Sequence, residues 1–175
     1  LDRVDRRQRQ MGIRASTSAT QSIPISRGFA RLSTVIFTFQ GAAAQKITSF
    51  GHPLGGAAPG GADALKYYIT IGSYRMPVFS VDGCAEQFYR TRMALSILER
   101  NEGDIAIDPH TFRSTGAIFA LNLERCSRQD DPDVGHSGIG TKGGSQATLE
   151  LSGAPVGAMC HVCCLYDAVV QIGPS

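Results

Sequence analysis

The sequence predicts an all-β protein, an antiparallel β-sandwich of jelly-roll type with one inserted α-helix. Three observations point there. Several segments are β-branched and aromatic and alternate with period two, the pattern of half-buried strands. Turns and polar, glycine-rich loops join them, with no regular helix between successive strands, which speaks against a doubly wound parallel sheet. The chain has 175 residues, 42% of them hydrophobic and 18% charged, with 20 Gly. That is enough to bury a core and too little charge for global disorder.

In chain order, residues 1–21 read as a basic N-terminal arm or linker and residues 22–175 as the jelly-roll domain. Residues 1–31 hold seven Arg and two Asp, a local charge of +5, and the other 144 residues sum to −3. A helix over 2–11 would have little apolar face, and the Ser/Thr/Ala-rich stretch after it reads as linker, so residues 1–20 are expected to be dispensable for folding. RLSTVIFTF (31–39) reads as a strand with Leu32, Thr34, Ile36 and Thr38 on one face and Ser33, Val35, Phe37 and Phe39 on the other. Residues 51–64 contain five Gly and two Pro and read as a loop. KYYITIGSYRMPVF (66–79) is the next extended run, with a bulge or bend at Gly72-Ser73.

Asp82 is a candidate N-cap for a helix over 83–100, with Phe88, Tyr89, Met93 and Ile97 expected inward and Asn101 and Gly103 ending it. Strands follow at AIFALNLER (117–125) and SQATLELSG (145–153), separated by a polar, glycine-rich connection at 127–145. AMCHVCCLYDAVVQI (158–172) is a long apolar run and reads as a central strand.

Composition excludes a coiled coil, a disulfide miniprotein and a membrane protein, since no apolar run reaches the roughly 20 residues a span needs. The Arg of residues 1–14 lead into no hydrophobic stretch, so no signal peptide is expected. The start at Leu1 points to a fragment or a processed product. The five Cys (Cys84, Cys126, Cys160, Cys163 and Cys164) are odd in number and three are crowded. They suit an intracellular, reducing compartment, with thiols packed as small hydrophobes.

Motifs that can carry chemistry fall short of a site. CHVCC (160–164) has the CxxC spacing of zinc knuckles, but on a strand Cys160 and Cys163 point to opposite faces. Gly138-Ile139-Gly140-Thr141-Lys142-Gly143 matches GxGxxG without the preceding strand and following helix that a dinucleotide needs. His52, His110, His136 and His161 lie in no HExxH, and Glu99, Glu102, Asp104 and Asp108 read as a solvated acidic stretch. No catalytic, cofactor-binding or metal-ligating residue is therefore assigned, and no cofactor is expected. Arg3, Arg6, Arg7, Arg9 and Arg14 are the functional candidates, because flexible basic arms bind nucleic acid without sequence choice.

Four stretches carry a family resemblance: SIPISRGFARLSTVIFTF (22–39), YYITIGSYRMPVFSVDGCAEQFYRTRMAL (67–95), GIGTKGGSQATLEL (138–151) and CHVCCLYDAVVQIGPS (160–175). Their order and spacing resemble the C-terminal jelly roll of the double jelly-roll major capsid proteins of Polinton/Maverick-type elements and adintovirus-like DNA viruses. Those proteins hold two jelly rolls in several hundred residues, and this chain has room for one. The resemblance implies a structural capsid subunit of the virion, self-assembling with its own copies and neighbouring subunits, with trimeric capsomers. The alternative is a nucleic-acid-binding module that uses the Arg-rich arm. A third class is a jelly-roll enzyme or ligand binder using His and carboxylates on a sheet face.

Overall fold

The computed structural model of the chain describes residues 8–15, 18–40, 65–95, 108–114, 116–124, 138–143 and 145–167. The strands are β1 (Gln8–Ala15), β2 (Thr20–Ile25), β3 (Arg31–Gln40), β4 (Lys66–Ile71) and β5 (Tyr74–Asp82), then β6 (Phe119–Asn122), β7 (Ala147–Ser152) and β8 (Met159–Asp167). Helices α1 (Cys84–Ala94) and α2 (Pro109–Ser114) lie between β5 and β6. The chain is an all-β sandwich of two four-stranded sheets, ordered β1-β8-β3-β6 and β2-β7-β4-β5. Every pairing is antiparallel. The first strand pairs with the last, the second with the seventh, the third with the sixth and the fourth with the fifth.

The core lies between the sheets, and period-two alternation builds it. β4 buries Tyr67, Ile69 and Ile71, β7 buries Ala147, Leu149 and Leu151, and β8 buries Cys160, Val162, Cys164 and Tyr166. Aromatic rings bridge the layers. Phe37 of β3 meets Tyr67 of β4 edge to face at 4.9 Å and stacks on Phe119 of β6 at 5.2 Å. Burying rings of this size is worth roughly 2–3 kcal/mol each. The outer face of the second sheet is polar: Thr70 donates to the Thr148 carbonyl, and the Ser22 hydroxyl to the Glu150 carboxylate.

Several elements depart from the sequence reading. Gln8–Ala15, read as part of an arm, forms edge strand β1, paired along its whole length with β8. Main-chain hydrogen bonding to an otherwise open strand edge needs no apolar face, which is why hydropathy misses it. In β3 the register slips between Leu32 and Thr34, so Leu32 joins Val35, Phe37 and Phe39 on the core face. Gly72-Ser73 is no bend within one strand. It is the turn of a β4–β5 hairpin, with Gly72 at φ +60°, where a side chain would be strained.

The cap of α1 is Gly83 and not Asp82. The Asp82 carboxylate instead pairs with Lys66, its cross-strand neighbour, at 2.7 Å. The buried face of α1 is Gln87, Thr91 and Ala94, while Tyr89 and Met93, expected inward, are exposed. The reason is what the helix covers. Thr91 Oγ1 donates to the Ile118 carbonyl and accepts from Ala120 N–H, at 3.0 and 3.3 Å. Gln87 Nε2 donates to the Leu65 carbonyl at 2.7 Å. A helix laid along a strand edge meets main-chain polar groups that need partners, so its polar residues turn inward. Phe88 is partly buried against Phe112 of α2, a short helix the sequence reading did not contain.

The expected loop at 51–64, Ile97 and the predicted end of α1 at Asn101 and Gly103 lie outside the described residues, as do the last residues of the run 158–172.

Candidate assembly surface

The sequence-predicted sites resolve one by one. Cys160 and Cys164 face the core, and Cys163 lies half-buried on the opposite face of β8, as strand parity requires. Burial pushes the Cys160 and Cys164 thiols up to about 12, which makes both poor nucleophiles and poor metal ligands. His161 shares a 2.8 Å hydrogen bond with Gln40 Oε1 on the neighbouring strand. Among the described residues no three His, Cys, Asp or Glu gather as metal ligands. Cys126, His52, His136, Glu99, Glu102, Asp104, Arg3, Arg6 and Arg7 lie outside the described residues.

The glycine motif at 138–143 clamps the start of β3. Ile139 exchanges two 2.9 Å main-chain bonds with Leu32. Thr141 N–H donates to the Phe29 carbonyl, and Phe29 N–H donates to Thr141 Oγ1 at 2.7 Å. A Cβ on Gly138 would lie 2.8 Å from the Leu32 carbonyl oxygen, so glycine is what the close approach demands. Asp108 caps α2. Its carboxylate accepts from Thr111 N–H at 2.8 Å and from the Thr111 hydroxyl at 2.6 Å, which holds its pKa below the usual value. His110, in α2, is exposed. Arg9 and Arg14 belong to β1, in register with Leu165 and Cys160.

One surface stands apart, and no sequence motif marked it. In the β4–β5 ladder, Tyr67 faces Val81 and Ile69 faces Met76, so the four residues Pro77–Ser80 stand opposite Tyr68. That bulge throws Val78 and Phe79 outward, at 73% and 84% exposure. Arg75 and Ser80 brace its base: the Arg75 guanidinium lies 3.8 Å over the Tyr68 ring and donates to Ser80 Oγ at 2.8 Å. On neighbouring α1, Tyr89 and Met93 are exposed at i,i+4 spacing and form an apolar stripe. Five of the six exposed large apolar side chains among the described residues lie on β5 and α1: Tyr74, Val78, Phe79, Tyr89 and Met93.

Between β5, α1 and β6 runs an open groove of about 260 Å³. Met76, Pro77 and Met93 line its sides, and the buried Leu121 and Leu123 of the β6 segment lie beneath. Arg90 and Glu124 bring charge to it, and Arg90 is held by Glu86 at 2.7 Å.

No family model, curated protein or solved structure matches the chain. The surface must therefore be read from its own chemistry. It offers apolar area and a shaped recess, which suits contact with another protein surface.

Proposed function

We propose that the chain is a structural subunit without catalytic role: a jelly roll of the viral-capsid type that associates with its own copies into a shell. The observation that carries this reading is the strand pairing, one with eight, two with seven, three with six and four with five. This nesting is what a long antiparallel ribbon rolled into two sheets would give, and it supports the jelly-roll reading, an architecture that capsid domains share with lectins and cupins. The apolar β5–α1 flank favours the assembly use over the ligand-binding ones, because it offers protein-contact area on the outside of the sandwich. The resemblance of residues 22–175 to double jelly-roll capsid proteins points the same way.

The test is assembly itself. The purified chain, sized by sedimentation and viewed by negative-stain electron microscopy, is expected to form oligomers or particles. A strictly monomeric chain at every concentration overturns the reading. The +5 charge of residues 1–31 supports a second use, non-specific nucleic-acid contact through Arg3, Arg6, Arg7, Arg9 and Arg14. Binding to single- or double-stranded DNA that weakens steeply with salt, and is lost when these Arg become Ala, is its expected signature.

A further inference from the structure

We propose that a second copy of this chain docks on the β5–α1 flank, with Phe79 of one copy seated in the groove of the other. The inference deepens the shell reading and rests on its premise that copies associate.

Phe79 is the most exposed large apolar side chain among the described residues, at 84%, and it projects from a bulge braced by Arg75 and Ser80. The groove at about 260 Å³, lined by Met76, Pro77 and Met93 together with the polar Arg90, Asn122 and Glu124, is a socket large enough for the ring. An apolar cavity of about 150 Å³ already accepts a benzene ring. Knob and socket share Pro77 as a border, so one surface carries both halves of the contact. Two copies related by a twofold axis can then satisfy each other at once, the geometry of an isologous interface.

Area supports a second copy as the occupant. Tyr74, Phe79 and Tyr89 are 75%, 84% and 54% exposed, and Val78 and Met93 add to them. At roughly 150–250 Å² per aromatic ring, these side chains together expose on the order of 600 Å² along β5 and α1. An ordinary interface takes about 800 Å² from each partner, so the apolar centre is nearly sufficient and the polar rim completes it. Charge agrees. Lys66 pairs with Asp82 and Arg90 with Glu86 inside the chain, so these border charges are neutralised before any partner arrives. Arg75 and Arg92 lie over the Tyr68 and Phe88 rings and Glu124 lines the groove, so the flank is mixed in charge, and its exposed aromatic side chains suit its own copy better than a polyanion. Strand-to-strand addition at β5 is disfavoured, because the bulge interrupts the edge and Pro77 has no N–H to offer. The contact is therefore made by side chains.

The experiment is sedimentation velocity over a wide concentration series, on the full chain and on two variants. Phe79→Asp removes the knob and Met93→Glu spoils the socket. Both positions are exposed, and thermal melting checks that each variant is folded; if one fails to fold, the other decides. The expected result is that the wild type associates and each folded variant does so roughly thirtyfold or more weakly, as for an interface hot spot. An equimolar mixture of the two variants is expected to recover part of the association, because one intact knob still meets one intact socket. Wild-type association that both folded variants retain in full overturns the docking site and leaves self-assembly standing. A wild type that stays monomeric throughout overturns the premise and the docking site together.

Discussion

β8 and β5 are both nine-residue strands with apolar stretches, and they meet opposite fates. β8 lies between β1 and β3, alternates without a break, and sends Cys160, Val162, Cys164 and Tyr166 into the core. β5 pairs with β4 on one side only, and the bulge at Pro77–Ser80 destroys its alternation. Val81 is buried, while Val78 and Phe79 stand in solvent. Apolar content alone does not decide burial. Pairing on both sides holds β8 in register, and that register aims every second side chain at the core. An edge strand is free to bulge, and the bulge turns hydrophobes outward.

The sharpest test exchanges one ring for Ala in each strand. Tyr166 is 6% exposed and packs on Phe29 at 4.7 Å. Tyr166→Ala is expected to cost about 3–5 kcal/mol in denaturant unfolding. Phe79→Ala, measured at a concentration where the chain is monomeric, should change stability by less than about 0.5 kcal/mol. Equal losses from the two would break the contrast.

Removing residues 1–15 turns β8 into an edge strand. The melting temperature is expected to fall by roughly 5 °C or more, since each kcal/mol moves a domain of this size by only a few degrees. No change would mean that β8 owes its register to β3 alone. The expectation from sequence, that this segment is dispensable, is thereby put to a direct test.

α1 hydrogen-bonds to the edge of β6, whereas β5 has β4 as its one strand neighbour among the described residues. Thr91→Val keeps the shape and removes both hydrogen bonds to the edge. It is expected to cost about 1–2 kcal/mol and to speed hydrogen exchange at the Ala120 amide. Unaltered exchange there would show that packing and not the hydroxyl holds the helix in place.

The smallest effect near neutral pH concerns the two core thiols of β8. An unfolded thiol titrates near 9, and burial raises Cys160 and Cys164 to about 12. The stabilising difference is therefore fully present below about 9 and is lost as pH rises from about 9 to about 12. Native protein at pH 8 should leave both residues unmodified by iodoacetamide, whereas unfolded protein should react at both. Rapid labelling of the native strand would show that β8 opens as readily as an edge.

The strands β4, β7 and β8 were legible in the sequence, β7 from its period-two alternation and β4 and β8 from their extended apolar runs. The opposite faces of Cys160 and Cys163 followed from the same parity. β1 was not legible, since Gln8–Ala15 is held by main-chain pairing to a strand some 150 residues later, which leaves no mark in hydropathy. Nor was the inward face of α1, where Thr91 and Gln87 turn in because a strand edge and the Leu65 carbonyl wait there. The exposed flank shows the same division. The residues YRMPVF announce an extended apolar stretch, but whether Phe79 fills the core or faces outward depends on how many residues of β5 stand opposite Tyr68, and only the folded ladder sets that number. Local patterning thus marked β4, β7 and β8 as strands, while long-range pairing decided β1, register, edges and which apolar side chains stay exposed.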